Sequence, residues 1–183
     1  LWPQSVIPCH FTLPKVMCHI FPSVRTSGEG KLALSSIERW YLEDYALDTM
    51  HFFRSTHVDI PRHMGFCRHL TDYFDFSAFI CELIFKDFMR VPSGPYPPVH
   101  HGVIILDFVL KYPAFGGVMV EATNRLFGSL PNLSVSARSA FVDWFSYHLS
   151  NTEFKWDWKE WCLMVQQVET GPKRENDGSS LSP

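Results

Sequence analysis

Residues 141–151 read Phe-Val-Asp-Trp-Phe-Ser-Tyr-His-Leu-Ser-Asn. Phe141, Trp144, Phe145, His148 and Leu149 fall at offsets 0, 3, 4, 7 and 8, which on a 3.6-residue period is one continuous stripe. A strand would split them between two faces, so the stretch is predicted as an amphipathic helix with large rings on its inner side. Asn132 and Ser134 stand ahead of it as candidate N-caps, and Asn151 at its stop, giving a helix to about Ser150.

The same pattern extends outward in both directions. The 13 prolines are tolerated in neither helix interiors nor central strands, so the regular elements belong in the intervals between them. Ser35 and Glu38 have the spacing of a capping box and open a helix to about Phe53, along which Ile37, Trp40, Tyr41 and Tyr45 make an apolar stripe. A short helix is expected from Pro61 to about Leu70 and a longer one from about Phe76 to Met89. The longer one turns Phe79, Ile80, Leu83, Ile84 and Phe88 to a core, with Glu82, Lys86 and Asp87 elsewhere. The run from Pro92 to Pro98 reads as a stiff connector. A helix from about Val99 to Lys111 follows, with Ile104, Ile105, Phe108 and Val109 inward. Pro113 and Gly116-Gly117 are expected to end it, before a helix over Val118–Phe127 with Met119, Ala122 and Leu126. Asp157 and Glu160 repeat the capping-box spacing ahead of a last helix to about Val168.

Helices of this length on short connectors imply antiparallel packing of neighbours, and no hairpin signal competes. The fold class is therefore all-α. Residues 1–34 form a proline-rich lead-in, in which Lys15 to Phe21 could make a helical turn or two; 35–168 form the helical domain; 169–183 have the composition of a disordered tail.

Composition excludes several functions. The net charge is −3 and aromatics make up 15% of the chain, which suits a packed globular body without the clustered basic footprint of a nucleic-acid module. The apolar run Val103–Leu110 is interrupted by Asp107 and is far shorter than the ~20 residues a bilayer demands, so no membrane association is expected. Five cysteines without a C-x-x-C pair suit free thiols in a reducing compartment. The chain opens on Leu1, not Met, and reads as a fragment without a signal peptide.

Chemistry-bearing clusters are sparse. His63, Cys67 and His69 are the best metal candidates, but no further ligands stand at a recognisable spacing, and Cys9-His10 and Cys18-His19 are no better. His100-His101, at a helix start, is expected to face solvent. No G-x-S-x-G elbow or phosphate-cradling glycine frame occurs, and the adjacent Glu43 and Asp44 fit a solvated face. Neither an enzyme nor a cofactor is expected. The densest feature is aromatic: Trp144, Phe145, Phe154, Trp156, Trp158 and Trp161. These rings read either as a core knot or as a stacking platform for bases. Helical spacing favours the core, and Asp157 and Glu160 nearly cancel the charge of Lys155 and Lys159.

The stretch 141–151, continued by Phe154-Lys155-Trp156-Asp157-Trp158-Lys159-Glu160-Trp161, closely resembles the large subunit of the nuclear cap-binding complex. That family has an aromatic helix ending in His-Leu-Ser-Asn, then Trp-x-Trp and an acidic Trp turn. Upstream, Cys81-Glu82-Leu83-Ile84-Phe85 to Val91-Pro92, then Pro97-Pro98, follow the family's order, as do Leu13-Pro14-Lys15-Val16 and Ser36-Ile37-Glu38-Arg39. Tyr147 stands where the family often has His. The resemblance covers about residues 8–168. It implies a HEAT-like helical repeat similar to the middle domain of translation initiation factor 4-gamma, at the start of the second such domain. It also implies a nuclear, non-catalytic scaffold, shuttling to the cytoplasm. Its partners would be a small subunit with an RNA-recognition motif, which grips the cap, and factors for splicing, export and decay. Capped RNA would be held indirectly. The motif residues Trp144, Phe145, His148, Asn151, Phe154, Trp156, Trp158 and Trp161 are expected to be structural, and no docking residue can be carried over. Direct RNA binding, or another helical-repeat adaptor of translation or decay, stays open as an alternative.

Overall fold

The computed structural model describes residues 20–21, 35–65, 74–90 and 96–169, and among these are seven α-helices and no strand. They are α1 (Ser36–Phe52), α2 (Ile60–Met64), α3 (Phe76–Phe88), α4 (Pro98–Lys111), α5 (Ala114–Ser129), α6 (Val135–Asn151) and α7 (Trp158–Glu169). Single-turn 3-10 helices at His57–Asp59 and Leu130–Asn132 join some of them.

The helix starts follow the capping chemistry of the sequence. Ser35 accepts the amide of Glu38, whose carboxylate returns to the amide of Ser35 at 2.8 Å, closing the capping box of α1. Asp75 caps α3 through the amide of Ala78, and Ser134 caps α6 through that of Ala137. At α7 the expected box does not close. Asp157 accepts the amide of Lys159, but Glu160 is drawn away to Asn124 Nδ2 at 2.6 Å.

The helices pack in two rows. α1, α3, α5 and α7 follow one another in the first, and α2, α4 and α6 in the second, with α1 on α2, α3 on α4 and α4 on α5 joining the rows. Each helix thus meets its near neighbours in the array, which is the arrangement of a helical repeat.

Several local expectations fail, each for a tertiary reason. Gly116 and Gly117 do not end a helix; they lie in the first turn of α5, and Tyr112-Pro113 make the break instead. The stripe Ile37, Trp40, Tyr41 and Tyr45 faces outward, while α1 buries Ala46, Thr49 and Met50. α3 is enclosed on nearly all sides, so Glu82 and Asp87 are buried with its apolar residues. Glu43 is not a freely solvated acid: it takes Arg39 Nε at 2.9 Å and Lys86 Nζ at 3.0 Å. His101 is 2% exposed, not solvent-facing, because its Nε2 lies 2.9 Å from Asp87 Oδ2 and its Nδ1 faces the Pro97 carbonyl.

α2 ends at Met64, and the rest of its expected span to Leu70 lies outside the described residues. So do the lead-in apart from Ile20 and Phe21, which are not helical, the connector through Pro95, and the tail beyond Glu169. Glycine is required at one crossing. A Cβ on Gly102 of α4 would sit 2.7 Å from Tyr147 Cδ1 and 3.4 Å from Trp144 Cδ1 on α6, too close for the first contact.

Candidate functional site

The aromatic motif forms one continuous cluster from the middle of the array to its α7 end. Trp144 on α6 is fully buried. Its ring meets Phe85 edge-on at 4.7 Å and stacks with Phe88 at 5.8 Å, both from α3, and with His148 at 5.7 Å. Phe145 continues the stripe and stacks on Trp161 at 4.6 Å. Trp161 in turn lies on Phe127 of α5 at 3.8 Å, nearly parallel, and donates its Nε1–H to Asn124 Oδ1 at 2.7 Å. One indole thereby ties α7 to both α5 and α6, with its apolar face and its polar edge both used.

The turn between α6 and α7 sets the outer half of the motif. Asn151 Nδ2 donates to the Tyr147 carbonyl at 2.8 Å, and Thr152 Oγ1 to that of His148 at 3.0 Å. Phe154 N closes back on the Leu149 carbonyl at 2.9 Å, with Glu153 and Phe154 at φ 54° and 58°. This is a left-handed helix cap made without glycine, which costs each residue roughly 1–2 kcal/mol. The chain then passes Trp156, half-buried edge-on against Phe145 and His148. Phe154 and Trp158 remain 65% and 42% exposed.

The structure therefore brings together Trp144, Phe145, His148, Trp156 and Trp161. It leaves Asn151 at the helix end, Phe154 pointing outward, and Trp158 at the rim, where it still touches Phe145 and Trp161 edge-on. Lys155 beside them pairs with Glu153 at 2.6 Å. Burial pushes the His148 imidazole below its ordinary value, and its Nδ1 has no hydrogen-bond partner among the described residues, both of which suit a neutral ring.

Sequence reasoning missed a polar hub at α3. Glu82, 1% exposed, accepts Arg39 Nη2 at 2.6 Å with one oxygen, and the amides of Ile20 and Phe21 at 3.1 Å each with the other. Arg125 of α5 completes the clasp, donating to the Ile20 carbonyl at 3.3 Å and lying over the Phe21 ring. At the opposite edge, burial raises the Asp87 carboxyl, but the hydrogen bond and charge of His101, with His51 and Arg90, outweigh it and hold the group below its usual range. The only signal in the sequence was the two acids Glu82 and Asp87 on a mostly apolar helix.

A metal role gains nothing. His63 stacks on Phe53 at 4.1 Å, Cys67, His69 and the two N-terminal Cys-His pairs lie outside the described residues, and among the described residues no three His, Cys, Asp or Glu side chains are grouped to hold an ion. No described helix is long and apolar enough to cross a membrane.

Residues 67–175 match the family described as MIF4G like. The chain is 28% identical over 157 residues to nuclear cap-binding protein subunit 1 of Oryza sativa subsp. japonica, covering 85% of this chain and 17% of that protein. It is 28% identical over 139 residues to the protein of that name from Arabidopsis thaliana (75% and 16%), and 30% over 141 residues to that from Anopheles gambiae (75% and 17%). The chain thus spans about a sixth of the length of these relatives. With the two-row helical array and a match across α3 to α7, the conclusion is direct: this chain belongs to the MIF4G-like family.

Proposed function

We propose that this chain is a non-catalytic scaffold segment of a nuclear cap-binding complex large subunit, acting through helix faces on a cap-binding small subunit with an RNA-recognition motif. The observation that carries this reading is the similarity to proteins named nuclear cap-binding protein subunit 1, which runs along 85% of the chain in the first of them. Burial of Trp144, Phe145 and Trp161 supports it, because rings enclosed in a core are not free to stack on a methylated guanine. On this reading the helical body over 35–168 docks the partner, the motif aromatics hold that body in shape, and capped RNA is held indirectly. Splicing, export and decay factors would meet the same subunit in the nucleus.

The test is a pull-down of this chain, and of the full-length protein, with a small subunit, with and without a methylated cap analogue. The expected result is binding that raises cap affinity only when the small subunit is present. Failure of both the chain and the full-length protein to bind it would overturn the reading.

A second reading is direct RNA binding at the α6–α7 turn, favoured by one observation: Phe154 and Trp158 are exposed there beside Lys155 and Lys159. Glu153, Asp157 and Glu160 offset the two lysines, so ring stacking would have to supply the affinity. RNA retained by the chain alone, and lost in Phe154→Ala, would establish it.

A further inference from the structure

We propose that the outer face of α1 is a docking surface for an amphipathic helix of a partner protein, one whose apolar stripe is flanked by lysine or arginine. This inference is independent of the cap-binding reading.

The face is large and apolar for a surface. Ile37, Trp40, Tyr41 and Phe52 are 79%, 61%, 69% and 80% exposed, with Tyr45 between them. At ~100° per residue these five share one side of α1, opposite Ala46, Thr49 and Met50. Apolar residues exposed singly are ordinary, whereas five on one helix face with four large rings mark an interaction site.

The shape of the missing neighbour follows from the rows. Arg39 and Glu43 reach from α1 to Glu82 and Lys86 of α3. Tyr41 lies about half a turn round from Arg39, on the far side of α1 from α3. The row α7, α5, α3, α1 therefore points its next position at this face, and what fills a position in such a row is a helix.

The charge of the neighbour follows from the same face. Asp44 and Asp48 are exposed among the rings and form no ion pair among the described residues. The only Lys or Arg of α1, Arg39, is turned inward to Glu43 and Glu82. A basic flank on the incoming helix is attracted here and an acidic one repelled.

The experiment uses the whole chain and two labelled amphipathic peptides of equal length and helicity, one of Leu and Lys and one of Leu and Glu. The Leu/Lys peptide is expected to bind. Both Trp40→Ser/Tyr41→Ser and Asp44→Lys/Asp48→Lys are expected to weaken it by about tenfold or more, with melting temperatures unchanged because all four side chains are exposed. Absence of Leu/Lys binding, equal binding of the Leu/Glu peptide, or indifference to either double variant overturns the proposal. A fall in melting temperature in Trp40→Ser/Tyr41→Ser would show that the face is packed internally. Dimerisation of the chain abolished by that variant would show that a second copy occupies it. Either result also overturns the partner-helix reading.

Discussion

Glu82 and Arg39, 43 residues apart in sequence, meet at 2.6 Å between α3 and α1, and the same carboxylate holds the backbone of Ile20 and Phe21. One buried side chain thus fastens three separate parts of the molecule. Glu82→Ala would leave two amides unpaired and Arg39 with Glu43 as its remaining acid. Removing one member of a buried pair costs about 3–5 kcal/mol, and the retained Glu43 contact sets the expectation at the lower end, about 3 kcal/mol. Urea unfolding measures it, with amide exchange at Ile20 and Phe21 expected to accelerate. A loss below about 1 kcal/mol would show that the clasp contributes little.

Trp144 and Trp158 belong to the same motif but should respond very differently. Trp144→Ala removes a fully buried indole packed on Phe85, Phe88 and His148, and a loss of about 3–5 kcal/mol is expected. Trp158→Ala, at the rim, should cost under about 1 kcal/mol. Thermal melts of both variants test the pair. Unchanged stability in Trp144→Ala would contradict its place in the core.

Gly102 faces Tyr147 across the α4–α6 crossing. Gly102→Ala gains about 1 kcal/mol of helix propensity but must displace the Tyr147 ring, and overpacking of that kind costs about 1–3 kcal/mol. The expected net result is destabilisation. In a Tyr147→Ala background the clash is gone, and the same substitution should become neutral or stabilising. A double-mutant cycle reads this as coupling between the two sites.

Two histidines make stability depend on pH in the same direction. Burial depresses His148. Burial first, then the charges of His101, His57 and His51, depresses His100 against the opposing pull of Asp87. A base whose folded value is lowered binds its proton better when unfolded, so its contribution is complete above the ordinary value of about 6.5 and is lost as pH falls through the depressed one. Melting temperature should drop between pH 7.5 and pH 5, roughly, and less so in His148→Phe. Equal pH profiles for wild type and His148→Phe would show that His148 does not titrate on unfolding.

Local spacing is a good guide at some positions and not at others: Gly116-Gly117 do not stop a helix and the Asp157/Glu160 box does not close. The Ser35–Glu38 box and the inner stripe Phe141, Trp144, Phe145 and His148 depend on residues a few positions apart, and both form as their spacing implies. The other errors concern which side of a helix is covered, because distant segments decide that. Glu82 looks like a surface acid until Arg39 and Ile20 arrive, and His101 looks solvated until Asp87 approaches from α3. The outward stripe of α1 carries the same lesson in reverse: an apolar periodicity reports that a face seeks cover, not that the described residues supply it. Within the aromatic motif, the rings at helical spacing are buried, whereas the exposure of Phe154 follows from a left-handed turn that no periodicity encodes.

The two-row arrangement has a mechanical consequence. Helices held mainly by adjacent members give way in sequence when the ends are pulled apart, each release lengthening the chain by a step set by that helix's own length while the middle still grips. With α3 enclosed on nearly all sides, that middle would be the last to yield.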